Sequence, residues 1–322
     1  MKTIAFLDRG TLAPHIDIRR PSFDHDWKEW ERTAPDQVVE RLQGAEIAIL
    51  NKVRITREHL DALPDLKMIA IAATGSDNID LEACTDKGVI VSNIRAYAVN
   101  TVPEHTFAMI LALRRGLLPY RQAIENGRWQ ESGQFCFFDH QVHDLAGSTL
   151  GIIGEGAIGQ AVATIGRAFG MRVLFAAHKG VEGLGPLYTP FDQALAESDV
   201  LTLHCPLTPA TRDLLSDREF DLMERRPVVV NTARGGLIDE TALARALRDG
   251  RISGAGMDVA TQEPPAPENP LMQLMDHPNF LFTPHTAWAS TEAMQSLADQ
   301  LIDNVAAYER GEPRHTVGGK KQ

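Results

Sequence analysis

Six short apolar runs follow one another after Ser148: TLGIIG, MRVLFAA, SDVLTLHCPL, PVVVNTARG, ISGAGMDVA and NFLFTPH, most of them separated by segments of helical character. A strand that is apolar at nearly every position is buried on both faces, and such strands alternating with helices form a parallel sheet covered by helices on either side. Six runs give the strand count of a doubly wound sheet. The first part of the chain has the same rhythm, in Thr3–Leu7, Ala45–Leu50, Leu66–Ala73 and Gly88–Asn93. A chain of 322 residues is long enough for two domains with a core each. The expected class is therefore α/β, with two doubly wound parallel-sheet domains.

Between the two rhythms, Asn100–Gly116 reads as one long helix, with Pro103 tolerated in its first turn and Arg114 and Arg115 favourable at its C-terminus. The following segment, 118–146, reads as irregular and rich in aromatics (Trp129, Phe135, Phe137, Phe138), a candidate dimerisation arm. A last helix is expected from Ser290 as N-cap to Gly311 just past its end, followed by a disordered tail over 318–322.

Composition removes several function classes. A formal charge of -11 without a basic stripe excludes a nucleic-acid backbone as a general partner. Three scattered cysteines, Cys84, Cys136 and Cys205, lack C-x-x-C spacing, so neither a disulfide framework nor a metal site is expected. The start MKTIAFLDRG lacks the long apolar core of a secretion signal, and Phe107–Leu113 is too short to span a bilayer. A cytoplasmic protein with no membrane partner is the expectation.

The chemistry concentrates at strand ends, where ligands of such sheets bind. Gly154, Gly156 and Gly159, with Ala157 and Ile158 among them, follow the strand TLGII and open a helix. In that context G-x-G-x-x-G reads as a dinucleotide pyrophosphate site: a tight turn, close backbone approach to the ligand and close helix packing. The next strand should end in an acid that bonds the adenosine ribose; it ends instead in Ala177, His178 and Lys179. No carboxylate there repels a 2′-phosphate, and the two basic residues can attract one; the alternative is that both are solvated loop residues. Further on, NTARGG supplies Arg234, GMDVATQEPP supplies Asp258 and Glu263, and FTPHTAW supplies His285. Arginine offers a planar fork to a carboxylate, histidine exchanges a proton near neutral pH, and a glutamate beside it orients the ring.

These motifs, together with ATGSDNID (Ala73–Asp80) and LHCPLTPATRDLL (Leu203–Leu215), occur in an order and spacing that resembles the D-isomer-specific 2-hydroxyacid dehydrogenases, most closely the glycerate dehydrogenase or hydroxypyruvate reductase branch. The resemblance implies a flavodoxin-like substrate domain, 1–98 and 289–322, with a Rossmann cofactor domain, 99–288, inserted into it, and a homodimer. By the same resemblance His285 is the acid–base group, Glu263 its partner, and Arg234 the carboxylate ligand. Thr74, Cys205, Pro206, Thr211, Thr232, Ala233 and Asp258 join the glycine turn around the cofactor, with Cys205 as a wall residue and not a nucleophile. Asn51, Lys52, Gly75, Ser76 and Trp288 join Arg234 and His285 around the substrate. Many members carry Asp at the position of Ala177 and prefer NAD; the departure here implies NADP, or dual use leaning to NADP. The implied reaction is reduction of hydroxypyruvate or glyoxylate. Another D-2-hydroxy acid, or a dinucleotide-sensing corepressor-like protein, stands as the alternative, since fold alone does not decide activity.

Overall fold

The computed structural model describes residues 1–318, so that all but the first residue of the tail expected over 318–322 lies outside the described residues. The chain divides into two compact units, one formed by Met1–Tyr97 with the segment from Ala289 onward, the other by Ala98–Trp288.

The first unit is built on a six-stranded sheet. From one edge to the other its strands are Thr316–Val317, Ile90–Ser92, Met68–Ile71, Ile47–Leu50, Lys2–Phe6 and His25–Glu29. All neighbours are parallel except the Thr316–Val317 edge. Chain order reverses between Lys2–Phe6 and Ile47–Leu50, the flavodoxin-like arrangement, which opens a crevice beyond the carboxyl ends of those two strands. Ile47–Leu50 and Met68–Ile71 are wholly buried, as their unbroken apolar sequence requires. His25–Glu29 (HDWKE) was not legible as a strand: it is an edge strand, half-exposed along its length, and its charges suit that position. The helix Thr291–Glu309 starts where Ser290 accepts a hydrogen bond from the Ala293 amide, and it buries Leu297, Leu301, Ile302 and Val305 in this unit.

The second unit carries seven strands, not the six expected. Their order is Phe280–Phe282, Gly254–Met257, Val228–Asn231, Val200–Leu203, Thr149–Ile153, Arg172–Ala176 and Tyr188–Thr189, all parallel. The additional strand is the two-residue edge Tyr188–Thr189, too short for any periodic signal. Chain order reverses between Thr149–Ile153 and Val200–Leu203, and the sites below lie around that switch point. One face is covered by a core including Leu195, Leu215, Phe220, Leu243 and Leu271. The other is covered by the helices Thr101–Arg114 and Ala157–Ala168, through Met109, Ile110, Val162 and Ala163. Helix and sheet approach closely at Gly166, where a Cβ would lie 2.6 Å from Leu150 Cδ2.

The segment 118–146 is not irregular throughout. Leu117–Glu125 and Arg128–Ser132 are helices, separated and ended by Gly127 and Gly133 in the left-handed conformation. The Tyr120 hydroxyl donates to the His140 carbonyl at 2.7 Å, and Arg128 pairs with Asp139, so the returning loop is tied to the helices. Phe135 and Phe138 nevertheless stand 88% and 85% exposed.

Candidate active site

Every strand of the second unit's sheet except the two-residue edge Tyr188–Thr189 delivers a piece of the site at its carboxyl end. After Thr149–Ile153 the chain turns at Gly154, whose φ of 106° suits glycine alone. A Cβ there would also lie 2.6 Å from the His204 carbonyl carbon, so two neighbouring strand ends meet at the switch point. At Gly159 a Cβ would lie 2.0 Å from the Gly154 carbonyl oxygen, which forces a glycine where the helix passes the turn. Gly156 differs: its φ is ordinary and a Cβ would meet nothing within 4 Å. Nothing within the chain therefore demands glycine at this N-cap. A ligand pressed against the backbone would, and the helix start, with Ala157 and Ile158 as its first residues and no side-chain cap, leaves amides for an anion. The residues present fit a dinucleotide pyrophosphate.

Ala177 directly follows the strand Arg172–Ala176, buried, with its amide bonded to the Thr189 carbonyl at 2.8 Å. His178 is exposed, 3.8 Å from Glu155 Oε1. Lys179 is engaged: its ammonium lies 2.9 Å from Glu219 Oε1, a carboxylate with no exposed surface that also receives Arg218 at 2.8 Å. Burial alone would raise the Glu219 carboxyl, but Lys179 and Arg218 hold it below the ordinary carboxylate range. Lys179 is thus one of two cations sharing one buried anion, a pairing that the sequence reading missed.

In the loop after Val200–Leu203, burial pushes the Cys205 thiol up to about 11, which leaves it protonated and inert as a nucleophile at neutral pH. Thr211 donates to the Pro206 carbonyl at 2.7 Å and accepts from the Thr208 amide at 2.7 Å, so the loop is knitted to itself. After Val228–Asn231, the Asn231 side chain bonds the Ala233 amide and the Arg234 carbonyl, and Thr232 bonds Thr106 at 3.0 Å. Arg234, half-buried, donates to the Ala233 carbonyl at 2.7 Å. A Cβ on Gly235 would lie 1.9 Å from the Ala260 carbonyl oxygen, so this turn abuts the one that begins at Asp258.

Asp258 is wholly buried, and its carboxylate is used inside the protein. Oδ1 accepts from the Thr283 hydroxyl and, at 2.9 Å, from the Thr286 amide; Oδ2 accepts from the Ala287 amide at 2.8 Å. The Asp258 carbonyl accepts from the His285 amide at 2.7 Å. These bonds bracket His285, whose φ of 55° is left-handed. That conformation costs a non-glycine residue about 1–2 kcal/mol, less than the two amide bonds to the Asp258 carboxylate contribute together at roughly 1.5–3 kcal/mol each. The His285 ring is fixed as well: Nδ1 lies 2.6 Å from Glu263 Oε2, while Glu263 Oε1 accepts from the Ala260 amide at 3.0 Å. Trp288 Nε1 donates to the His285 carbonyl at 3.0 Å. With Nδ1 taken by Glu263, Nε2 is the nitrogen left for proton exchange.

The structure thus brings together Glu263 and His285, places Trp288 on the backbone of His285, and gives Asp258 the part of a clamp. His105, 3.1 Å from Thr283 Oγ1, and Thr106 were missed; their signal is a polar pair directly before the apolar run Phe107–Leu113. Among the described residues no group of three or more His, Cys, Asp or Glu side chains is arranged to hold a metal, and no helix is long and apolar enough to cross a membrane.

The remaining candidates belong to the first unit. Asp8 lies two residues past the strand Lys2–Phe6 and accepts the amides of Asn51, Lys52 and Val53, at 2.8, 2.6 and 3.2 Å. Burial raises its carboxyl, and these three amides oppose the rise. Asn78 donates to the Val53 carbonyl at 2.7 Å from the other side. Within this fixed loop Asn51 Oδ1 is buried with no hydrogen-bond partner among the described residues. The Thr74 hydroxyl donates to the Ile94 carbonyl at 2.8 Å and the Thr74 carbonyl accepts from the Asn93 side chain at 2.7 Å; Gly75 and Ser76 follow directly.

Residues 107–287 match the family model described as D-isomer specific 2-hydroxyacid dehydrogenase, NAD binding domain. A glycerate dehydrogenase of Methylorubrum extorquens is 50% identical over 317 residues, 98% of this chain and 99% of its own. Among solved structures, an NADPH-dependent glyoxylate/hydroxypyruvate reductase from Sinorhizobium meliloti in complex with citrate superposes with a TM-score of 0.83 at 27% identity, covering 98% of either chain. A D-lactate dehydrogenase of Aquifex aeolicus complexed with NAD and lactic acid gives 0.79 at 28% identity, covering 97% of this chain and 96% of its own.

The three glycines predict different phenotypes. Gly156→Ala should leave the unfolding temperature of the protein unchanged and weaken binding of nicotinamide dinucleotide at least tenfold, read by fluorescence titration. Unchanged affinity would remove the pyrophosphate from this turn.

Proposed function

Because this chain belongs to the D-isomer specific 2-hydroxyacid dehydrogenase family, we propose that it moves a hydride between a nicotinamide dinucleotide and a small 2-oxo acid, reducing hydroxypyruvate or glyoxylate to D-glycerate or glycolate. The observation that carries this reading is the His285 imidazole held by Glu263 at 2.6 Å, at the carboxyl edge of a dinucleotide-binding sheet. A protein that only senses a dinucleotide needs no imidazole so fixed.

The nicotinamide, when bound, supplies the hydride to the carbonyl carbon. His285 gives the proton from Nε2 to the carbonyl oxygen, so that hydride and proton together complete the alcohol. Glu263 fixes the ring through Nδ1, which leaves Nε2 to exchange the proton. Arg234 is assigned to the substrate carboxylate, which its planar guanidinium matches, and its charge draws electron density from the adjacent carbonyl. Gly154–Gly159 are assigned to the pyrophosphate, with Cys205, Pro206, Thr211, Thr232 and Ala233 as neighbouring walls. Asp258 acts by holding the His285 turn. Asn51, Lys52, Thr74, Gly75, Ser76 and Trp288 keep the roles that the motifs give them, and the unpartnered Asn51 Oδ1 suits an acceptor for a substrate hydroxyl.

For the cofactor the proposal is NADP, or dual use leaning to NADP. The support is the small, buried Ala177 where an acid would repel a 2′-phosphate, and the exposed His178 beside it. Lys179 contributes less than a free cation, because Glu219 shares its charge with Arg218. The protein is further proposed to be a cytoplasmic homodimer. Phe135 and Phe138, nearly fully exposed on an arm otherwise tied down, are the apolar surface that a second copy would cover.

Initial rates with hydroxypyruvate, titrating NADPH and NADH in parallel, should give the larger kcat/KM with NADPH, and Lys179→Ala should raise the KM for NADPH more than that for NADH. A larger kcat/KM with NADH, or equal changes in the variant, would return His178 and Lys179 to the status of loop residues. Sedimentation equilibrium should report twice the chain mass; Phe135→Ser with Phe138→Ser should shift the protein toward monomer, and a monomeric wild type would dismiss the arm as an interface.

A further inference from the structure

A second histidine stands behind the turn that carries His285. His105 lies in the helix Thr101–Arg114, whose residues Phe107, Met109 and Ile110 are buried. Its Nε2 is 3.1 Å from Thr283 Oγ1 and 3.7 Å from Asp258 Oδ1. The Thr283 hydroxyl gives its hydrogen to Asp258 Oδ1. A hydroxyl has one hydrogen to give and a carboxylate has none, so Thr283 can only accept from His105. Nε2 of His105 therefore carries a hydrogen, and the bonds run in one direction: His105 to Thr283 to Asp258.

The chain of bonds ends on the carboxylate that also accepts the amides of Thr286 and Ala287. We propose that His105 is a positioning residue for the reaction: its Nε2–H fixes the Thr283 hydroxyl on Asp258, and through Asp258 the left-handed turn that aims His285. The proposal rests on the reading of His285 as the proton donor. Without His105 the Thr283 hydroxyl is free to rotate away, Asp258 Oδ1 loses a partner, and the carboxylate can shift from the two amides that directly follow His285. Space filling is a poorer account of this side chain. Its ring is buried for the most part, 24% exposed, in a helix that also buries Phe107, Met109 and Ile110, and a leucine would pack there without the cost of desolvating a polar ring.

The test uses His105→Leu, which removes the donor, and His105→Gln, whose amide can return one near the same place. His105→Leu should lower kcat for hydroxypyruvate reduction roughly tenfold, as expected for a misplaced catalytic group, with the KM for the nicotinamide cofactor changed less than twofold. His105→Gln should recover kcat to within about threefold of wild type. Thr283→Val should reproduce the loss, and the double variant His105→Leu/Thr283→Val should be no slower than Thr283→Val alone, because both act through one chain of bonds. Full kcat in His105→Leu, an equal loss in His105→Gln, or additive losses in the double variant would each overturn the proposal.

Amide hydrogen exchange over residues 283–288 provides a readout independent of the substrate. It should be faster in His105→Leu than in wild type and recover in His105→Gln. Should the wild type reduce none of the 2-oxo acids offered, the reading of His285 falls by itself, and exchange still decides the relay: faster exchange in His105→Leu supports it, unchanged exchange overturns it.

Discussion

The candidate catalytic apparatus of the second unit depends on one buried carboxylate. Asp258 lies at the end of Gly254–Met257, without exposed surface, and receives a hydroxyl and two backbone amides from the turn after the neighbouring strand. A buried charge is tolerated only where hydrogen bonds replace its hydration, and here the same bonds hold a strained residue. Remove the carboxylate and the left-handed φ of His285 has no compensation. The imidazole would then no longer meet Glu263 at 2.6 Å.

The first unit uses the same device. Asp8 also stands at a strand's carboxyl end, beside the switch point, and its carboxylate gathers three successive amides of the loop Asn51–Val53. In either sheet the parallel strands bring backbone amides and a short acid to the same edge, and the acid turns a loop into a fixed surface. Glycine supplies the complementary freedom. Gly154 and Gly159 are demanded by the chain's own packing, whereas Gly156 has open space where a side chain would be, and this contrast separates a ligand's requirement from the fold's.

Most of the fold was legible because its interior strands are buried on both faces: IAIL, MIAI, VLTL and VVVN admit no other packing. The edges were not. His25–Glu29 is polar because one side meets solvent, Tyr188–Thr189 is too short to show a period, and the arm helices are masked by Pro119, Gly127 and Gly133. In the candidate site, the residue types that chemistry requires, Arg234, Glu263 and His285, stood out at strand ends. What holds them did not, since the bonds from Thr283, Thr286 and Ala287 to Asp258 form only once the strands lie side by side. For the same reason Lys179 read as a free cation: its partner Glu219 belongs to a helix two strands further along the chain.

The central claim is that His285 carries the proton. Reduction then requires its protonated ring and oxidation its neutral one. The most direct measurement is kcat/KM against pH for hydroxypyruvate reduction and for D-glycerate oxidation, in the wild type and in His285→Gln. The account predicts that wild-type reduction weakens and oxidation strengthens as pH rises, and that His285→Gln loses most activity in both directions along with both of these limbs. Persistence of the two limbs at near wild-type rate in His285→Gln would contradict it.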